Sequence, residues 1–144
     1  MYQYKAEIIR VIDGDTVDVR IDLGFDVHIM QRVRLEGVDT PETRTLDLRE
    51  KKFGFIAKQF VESKLIVGEV YTLNTKLDEK GKFGRALGVF ELPDGSSLNQ
   101  LLISSCLGIP YLGQSRESIR VEHEKNWAIL DEKSIGDSIL SMLP

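Results

Sequence analysis

The chain has 144 residues, 42% hydrophobic and 29% charged, with 19 Lys and Arg against 23 Asp and Glu for a net charge of −4. This composition is that of one soluble globular domain, residues 1–144, and it argues against a surface that coats itself nonspecifically with nucleic acid; a polyanion has to be held at a defined site. The single cysteine excludes an internal disulfide and a cysteine-built zinc site, no run approaches the roughly 20 apolar residues needed to span a bilayer, and the start MYQYKAEIIRVIDGD lacks the pattern of a secretory signal. The expectation is a cytoplasmic protein without membrane association.

Residues 4–12 and 16–23 are rich in Val, Ile and Thr with rough alternation, clearest in TVDVRIDL, and read as two half-buried strands bent apart at Gly14. A turn through Leu23, Gly24 and Phe25 leads to a third strand, 27–35. After a polar loop, Phe53, Ile56, Ala57, Phe60, Val61 and Leu65 recur at helical spacing over 49–65, and Gly68 ends the pattern. Strand character returns over 69–76 and 85–92, separated by a turn at 80–82 and followed by Pro93, Asp94 and Gly95. Ser97 caps a second helix with Leu98, Leu101, Leu102 and Leu107 on one face, closing at Gly108. A third helix starts near Ser115 and carries Ile119, Trp127 and Leu130; residues 134–144 form a further short helix or a frayed tail. Five short strands with a helix after the third predict an α+β fold that is mainly β: a five-stranded Greek-key barrel of OB-fold type capped by three helices.

Three polar clusters fall at strand ends or turns: Asp13, Gly14, Asp15 and Thr16; Arg34 with Asp39, Thr40 and Glu42; and Lys82, Phe83, Gly84 and Arg85. Aspartate and glutamate are hard oxygen ligands suited to calcium or magnesium. Two arginines offer planar forks that match a phosphate and keep their charge. A cation and two arginines around one phosphodiester neutralise the charge that builds as water attacks, and Glu42 is placed to orient or deprotonate that water. Singly, each cluster has a plainer reading. Asp13 to Asp15 suits a turn, Asp39 to Glu42 a helix start, Arg34 an ion pair with Glu36 or another surface acid, and Arg85 a solvated strand position. His28 and His123 lack ligand spacing and read as surface or partly buried residues. Cys106 falls on the buried face predicted for the second helix and reads as a core thiol, and Trp127 reads as core.

Together, VIDGDTV, RLEGVDTPET and KFGRALG stand in the order and spacing of the three signature segments of the staphylococcal nuclease (thermonuclease) family, which the chain resembles from about Val11 to Leu107, including FGFIAKQF. The resemblance implies an OB-fold, calcium-dependent hydrolysis of DNA and RNA, and 3′-phosphate products after cleavage of the bond to the 5′ oxygen. It implies Asp15 and Asp39 as calcium ligands with the Thr40 carbonyl, Arg34 and Arg85 as phosphate clamps, and Glu42 as general base. Phe83 replaces a tyrosine that family enzymes use on a terminal phosphate, so that contact is lost. Lys82 stands beside the site, and Tyr111 represents a pair of tyrosines that line the base pocket. Two readings remain open: a working nuclease, or a catalytically weak nuclease-like OB-fold module that binds nucleic acid or a protein. Retention of all five catalytic residues favours the enzyme. Nothing in the sequence demands an obligate protein partner or more than a monomer.

Overall fold

The computed structural model of the chain describes residues 2–77 and 85–133. Its elements are β1 (Tyr2–Asp13), β2 (Thr16–Asp22), β3 (His28–Leu35), β4 (Val38–Asp39), α1 (Leu48–Lys64), β5 (Val70–Leu77), β6 (Arg85–Glu91), α2 (Leu98–Ser104), β7 (Ile109–Pro110) and α3 (Arg116–Lys133). The alternation that marks the strands has its ordinary cause: Val17, Val19 and Ile21 turn inward while Arg20 and Asp22 meet water. Five strands close into a barrel in the order β1-β2-β3-β6-β5. Every neighbouring pair is antiparallel except β3 and β6, which run parallel. This is the OB-fold barrel expected from the strand order, closed by the short parallel seam of residues 32–35 with 85–88.

β1 serves two neighbours, β2 and β5, and shifts register between Ile8 and Arg10 and again between Val11 and Asp13. Such bulges bend a long strand around a small barrel. Inside, Ile8, Val17, Val33, Leu35, Leu73 and Phe90 are fully buried. α1 covers one end with Phe53, Ile56, Ala57 and Val61. Its first turn is capped by Asp47, whose side chain accepts from the amides of Arg49 and Glu50. Among the described residues no helix is long and apolar enough to cross a membrane.

Asn99 of α2 ties the parallel seam together. Its amide donates to the carbonyls of Glu36 and Gly88 at 2.9 and 3.0 Å, and its carbonyl accepts from Phe90 N–H at 3.3 Å. The side chain is buried and replaces ladder bonds where β3 ends against β6.

Two features differ from the sequence reading. The second helix ends at Ser104 instead of continuing to Gly108, because Cys106 takes a left-handed backbone (φ 60°) and the amides of Leu107 and Gly108 both return to the Leu102 carbonyl. Cys106 therefore sits half-buried in a turn packed against the core, off the helix face. The second difference is a two-stranded ladder, β4 with β7, pairing Val38 with Pro110 and Asp39 with Ile109. The predicted turn at 80–82 and the tail at 134–144 lie outside the described residues.

Gly54 in α1 has a positional reason. A Cβ there would lie 2.4 Å from the Glu42 carbonyl oxygen and 2.9 Å from that of Pro41. Alanine normally improves a helix interior by about 1 kcal/mol over glycine; at this position the clash reverses the sign. Urea unfolding of Gly54→Ala is expected to show a loss of about 1–3 kcal/mol, the usual cost of overpacking.

Candidate active site

The site grows from the register of β3. Val33 and Leu35 point into the barrel, so Arg34 points out of it, opposite Thr16 of β2. Asp15, one residue before Thr16, is thereby brought beside Arg34. The chain then turns at Gly37 and enters β4, which returns Asp39 to the same guanidinium. Arg34 Nη1 donates to the Val38 carbonyl at 2.8 Å and lies 3.3 Å from Asp15 Oδ2; Nη2 lies 3.2 Å from Asp39 Oδ1. One arginine thus bridges both predicted metal-ligand carboxylates, rather than pairing with Glu36, whose carboxylate meets Lys76 at 2.6 Å.

Asp15 is nearly sealed from water. Its Oδ1 accepts from the Thr16 hydroxyl at 3.0 Å, and its Oδ2 from the Thr40 N–H at 3.1 Å. The second bond places the Thr40 backbone against Asp15. Close packing behind it depends on Gly14, where a Cβ would meet Thr40 Oγ1 at 2.8 Å. Burial pushes the Asp15 carboxyl above its ordinary 3.8, against the opposing pull of Arg34 and the Thr40 amide.

Glu42 follows on a loop seated on α1. Its backbone N–H lies 3.4 Å from Glu50 Oε2, and Thr43 donates its hydroxyl to Asp13. Partial withdrawal from water, then the charges of Asp15, Asp13, Asp39 and Glu50, raise its pKa above 4.5. Four other carboxylates, those of Asp13, Asp15, Asp39 and Glu50, therefore act on Glu42, and two of them, Asp15 and Asp39, contact Arg34. Tyr111 stands at the rim, its ring centre 5.7 Å from the Arg34 guanidinium carbon and its N–H on the Gly37 carbonyl. The register puts the Arg85 backbone opposite Arg32, two positions before Arg34, but only its backbone is described. Lys82 and Phe83 lie outside the described residues.

His123, read from the sequence as a surface or partly buried residue, is instead buried and a member of this cluster. Its Nε2 lies 2.8 Å from Asp39 Oδ2, 84 positions away in the chain, and the ring is buried. The available signal was its place in the stripe Ile119, His123, Trp127, Leu130, on the buried side of α3. A cavity of about 460 Å³ opens between this helix and the strand end, lined by Asp39, Thr40, Glu42, Arg116, Arg120 and His123 among others. Arg120 closes its wall by pairing with Asp47 at 2.8 Å and Glu124 at 3.1 Å.

Among the described residues no three or more His, Cys, Asp or Glu side chains are grouped to hold a metal ion by themselves. What does converge is a pair of aspartate oxygens on one guanidinium, with a buried carboxylate only partly compensated. Aspartate oxygens are hard donors, a chemistry that fits calcium or magnesium better than a soft or nitrogen-seeking metal.

An OB-fold barrel with two aspartates, an arginine and a glutamate at one cleft defines a class of protein in which a β-barrel carries a charged site. Residues 32–133 match the family described as Staphylococcal nuclease homologue, and the chain belongs to it. It is 30% identical over 136 residues to Protein ParB of Escherichia coli, covering 85% of this chain and 68% of that protein. It is 29% identical over 98 residues to an uncharacterized endonuclease of Escherichia coli O157:H7 (68% of this chain, 55% of the relative), and 39% identical over 85 residues to the thermonuclease of Staphylococcus intermedius (59% and 47%). The chain thus spans about half the length of those two nucleases.

A pH dependence follows from Asp15 and Glu42. In chelator, the folded chain keeps protons that the unfolded chain releases above ordinary carboxylate values. The contribution of these two groups to stability is therefore expected to fall as pH rises from about 4 through their raised folded values, opposing the gain from Asp18, Asp47 and Asp94, whose folded values are lowered. Asp15→Asn should flatten that slope and make the metal-free protein more stable at pH 7, as read by thermal unfolding across pH.

Proposed function

We propose that this chain is a calcium-dependent nuclease that hydrolyses phosphodiester bonds of DNA and RNA without sugar preference and leaves 3′-phosphate products. The observation that carries the reading is the convergence of Asp15 and Asp39 on Arg34, with Glu42 on the adjoining loop. Asp15, Asp39 and the Thr40 carbonyl are assigned to hold calcium, which when bound would supply positive charge to the phosphate oxygens and to both carboxylates. Arg34 then changes partner from the aspartates to the phosphate, with Arg85 as the second clamp. Glu42 takes a proton from water as the water oxygen attacks phosphorus. The bond from phosphorus to the 5′ oxygen breaks, and that oxygen leaves with the electron pair and takes a proton from solvent water, while Glu42 returns its proton to solvent. Its raised pKa suits Glu42 to this role, since a base works best when its affinity for the proton approaches that of its surroundings.

The substrate rim is assigned to Tyr111, Lys82 and Phe83. Tyr111 offers an aromatic face for a base, and Phe83 offers no hydroxyl to a terminal phosphate. An acidic chain with this site acts as a monomer on nucleic acid held at the cleft, with no obligate protein partner.

The test is cleavage of heat-denatured DNA and of RNA with calcium, magnesium or chelator. The expected result is calcium-dependent release of 3′-phosphate ends, with Glu42→Gln and Arg34→Ala each losing turnover by about 10²- to 10⁴-fold. Absence of cleavage by a folded protein, with affinity for single strands declining smoothly with salt, supports instead a binding module of nuclease shape.

A further inference from the structure

The interior of α3 holds a group that the reaction scheme does not use. His123 is 4% exposed, and its Nε2 contacts Asp39 Oδ2 at 2.8 Å. Its other ring nitrogen, Nδ1, is buried with no hydrogen-bond partner. A proton on Nδ1 would leave that donor unpaired in the core and set the Nε2 lone pair against a carboxylate oxygen. The Nε2–H tautomer avoids both penalties.

The ring itself is held rigidly. It stacks on Trp127 with centroids 6.1 Å apart and planes at 16°, and Trp127 stacks on Phe53 of α1 at 5.4 Å and 4°. Trp127 is 1% exposed. Three rings from two helices therefore fix the plane of the imidazole, and with it the direction of the Nε2–H bond.

That direction matters because, besides His123, Asp39 is held by Arg34, a group the reaction scheme moves onto the phosphate. Asp39 ends a two-residue strand, and a carboxylate rotates over a broad range about its last torsion. Its two oxygens are divided: Oδ1 faces Arg34 and the Asp15 side of the cleft, while Oδ2 faces His123. We propose that His123 is a positioning residue for Asp39, donating Nε2–H to Oδ2 and thereby presenting Oδ1 to the bound cation. α3 thus takes part in cation binding from outside the barrel without supplying a ligand. The proposal rests on Asp39 acting as a cation ligand, as assigned above.

Hydrogen-bonded supports of metal ligands typically contribute 10- to 100-fold to metal affinity. The experiment is calorimetric titration of purified protein with calcium, in wild type, His123→Phe and His123→Gln. Phenylalanine keeps a ring to stack on Trp127 but removes the donor; glutamine restores an N–H at comparable reach. The expected result is calcium affinity about 10-fold or more weaker in His123→Phe and largely recovered in His123→Gln, with melting temperatures in chelator ranking differently from affinity. Equal affinity in wild type and a folded His123→Phe overturns the positioning role and leaves Asp39 as a ligand. A folded wild type that binds no calcium overturns both this proposal and the assignment of Asp39. The imidazole nitrogens of wild type, read by long-range proton–nitrogen NMR, supply a test independent of any variant. The Nε2–H tautomer, shifting on calcium addition, supports the proposal, and an Nδ1–H tautomer overturns it.

Discussion

The guanidinium of Arg34 is the point on which the site depends. It joins three pieces of chain at this place, the turn before β2 through Asp15, β3 through its own backbone, and β4 through Asp39 and the Val38 carbonyl, and the Thr40 amide on Asp15 adds a second tie. A half-buried arginine pays for its desolvation only if most of its donors are met, and here two carboxylates and a carbonyl meet them. The barrel makes this possible by register. Pairing Thr16 with Arg34 sets Asp15 beside the arginine, and the turn at Gly37 brings Asp39 back to it.

The same arrangement explains why the cleft is suited to chemistry. Asp15 and Asp39 on one arginine, with Asp13 and Glu50 close enough to act on Glu42, leave negative charge that burial makes costly, visible in the upward shifts of Asp15 and Glu42. In the proposed reading, a divalent cation would relieve that charge, and a guanidinium already within reach of the carboxylates would then be close to a phosphate. The helices act as supports. α1 accepts the Pro41–Glu42 backbone at Gly54, and α3 reaches Asp39 through a histidine locked against Trp127 and Phe53.

The barrel was legible because its strands have one buried face, so TVDVRIDL alternates and the helix stripe from Phe53 to Leu65 repeats at its own period. The convergence of Asp15, Arg34, Asp39 and Glu42 was legible because these residues cluster locally at the strand ends that hold them. His123 was not, since its partner is 84 positions away and a lone histidine carries no spacing signal. β4 and β7 were missed because two-residue strands have no period. The early end of α2 turns on Cys106 in a left-handed conformation, which glycine or asparagine would have announced and cysteine does not.

The most direct measurement is a crystal structure of the protein with calcium and a nucleoside 3′,5′-bisphosphate. The expected result is calcium against Asp15, Asp39 and the Thr40 carbonyl, with Arg34 turned from the aspartates onto a phosphate. A bound nucleotide with Arg34 still bridging both aspartates, and no cation beside them, would contradict it.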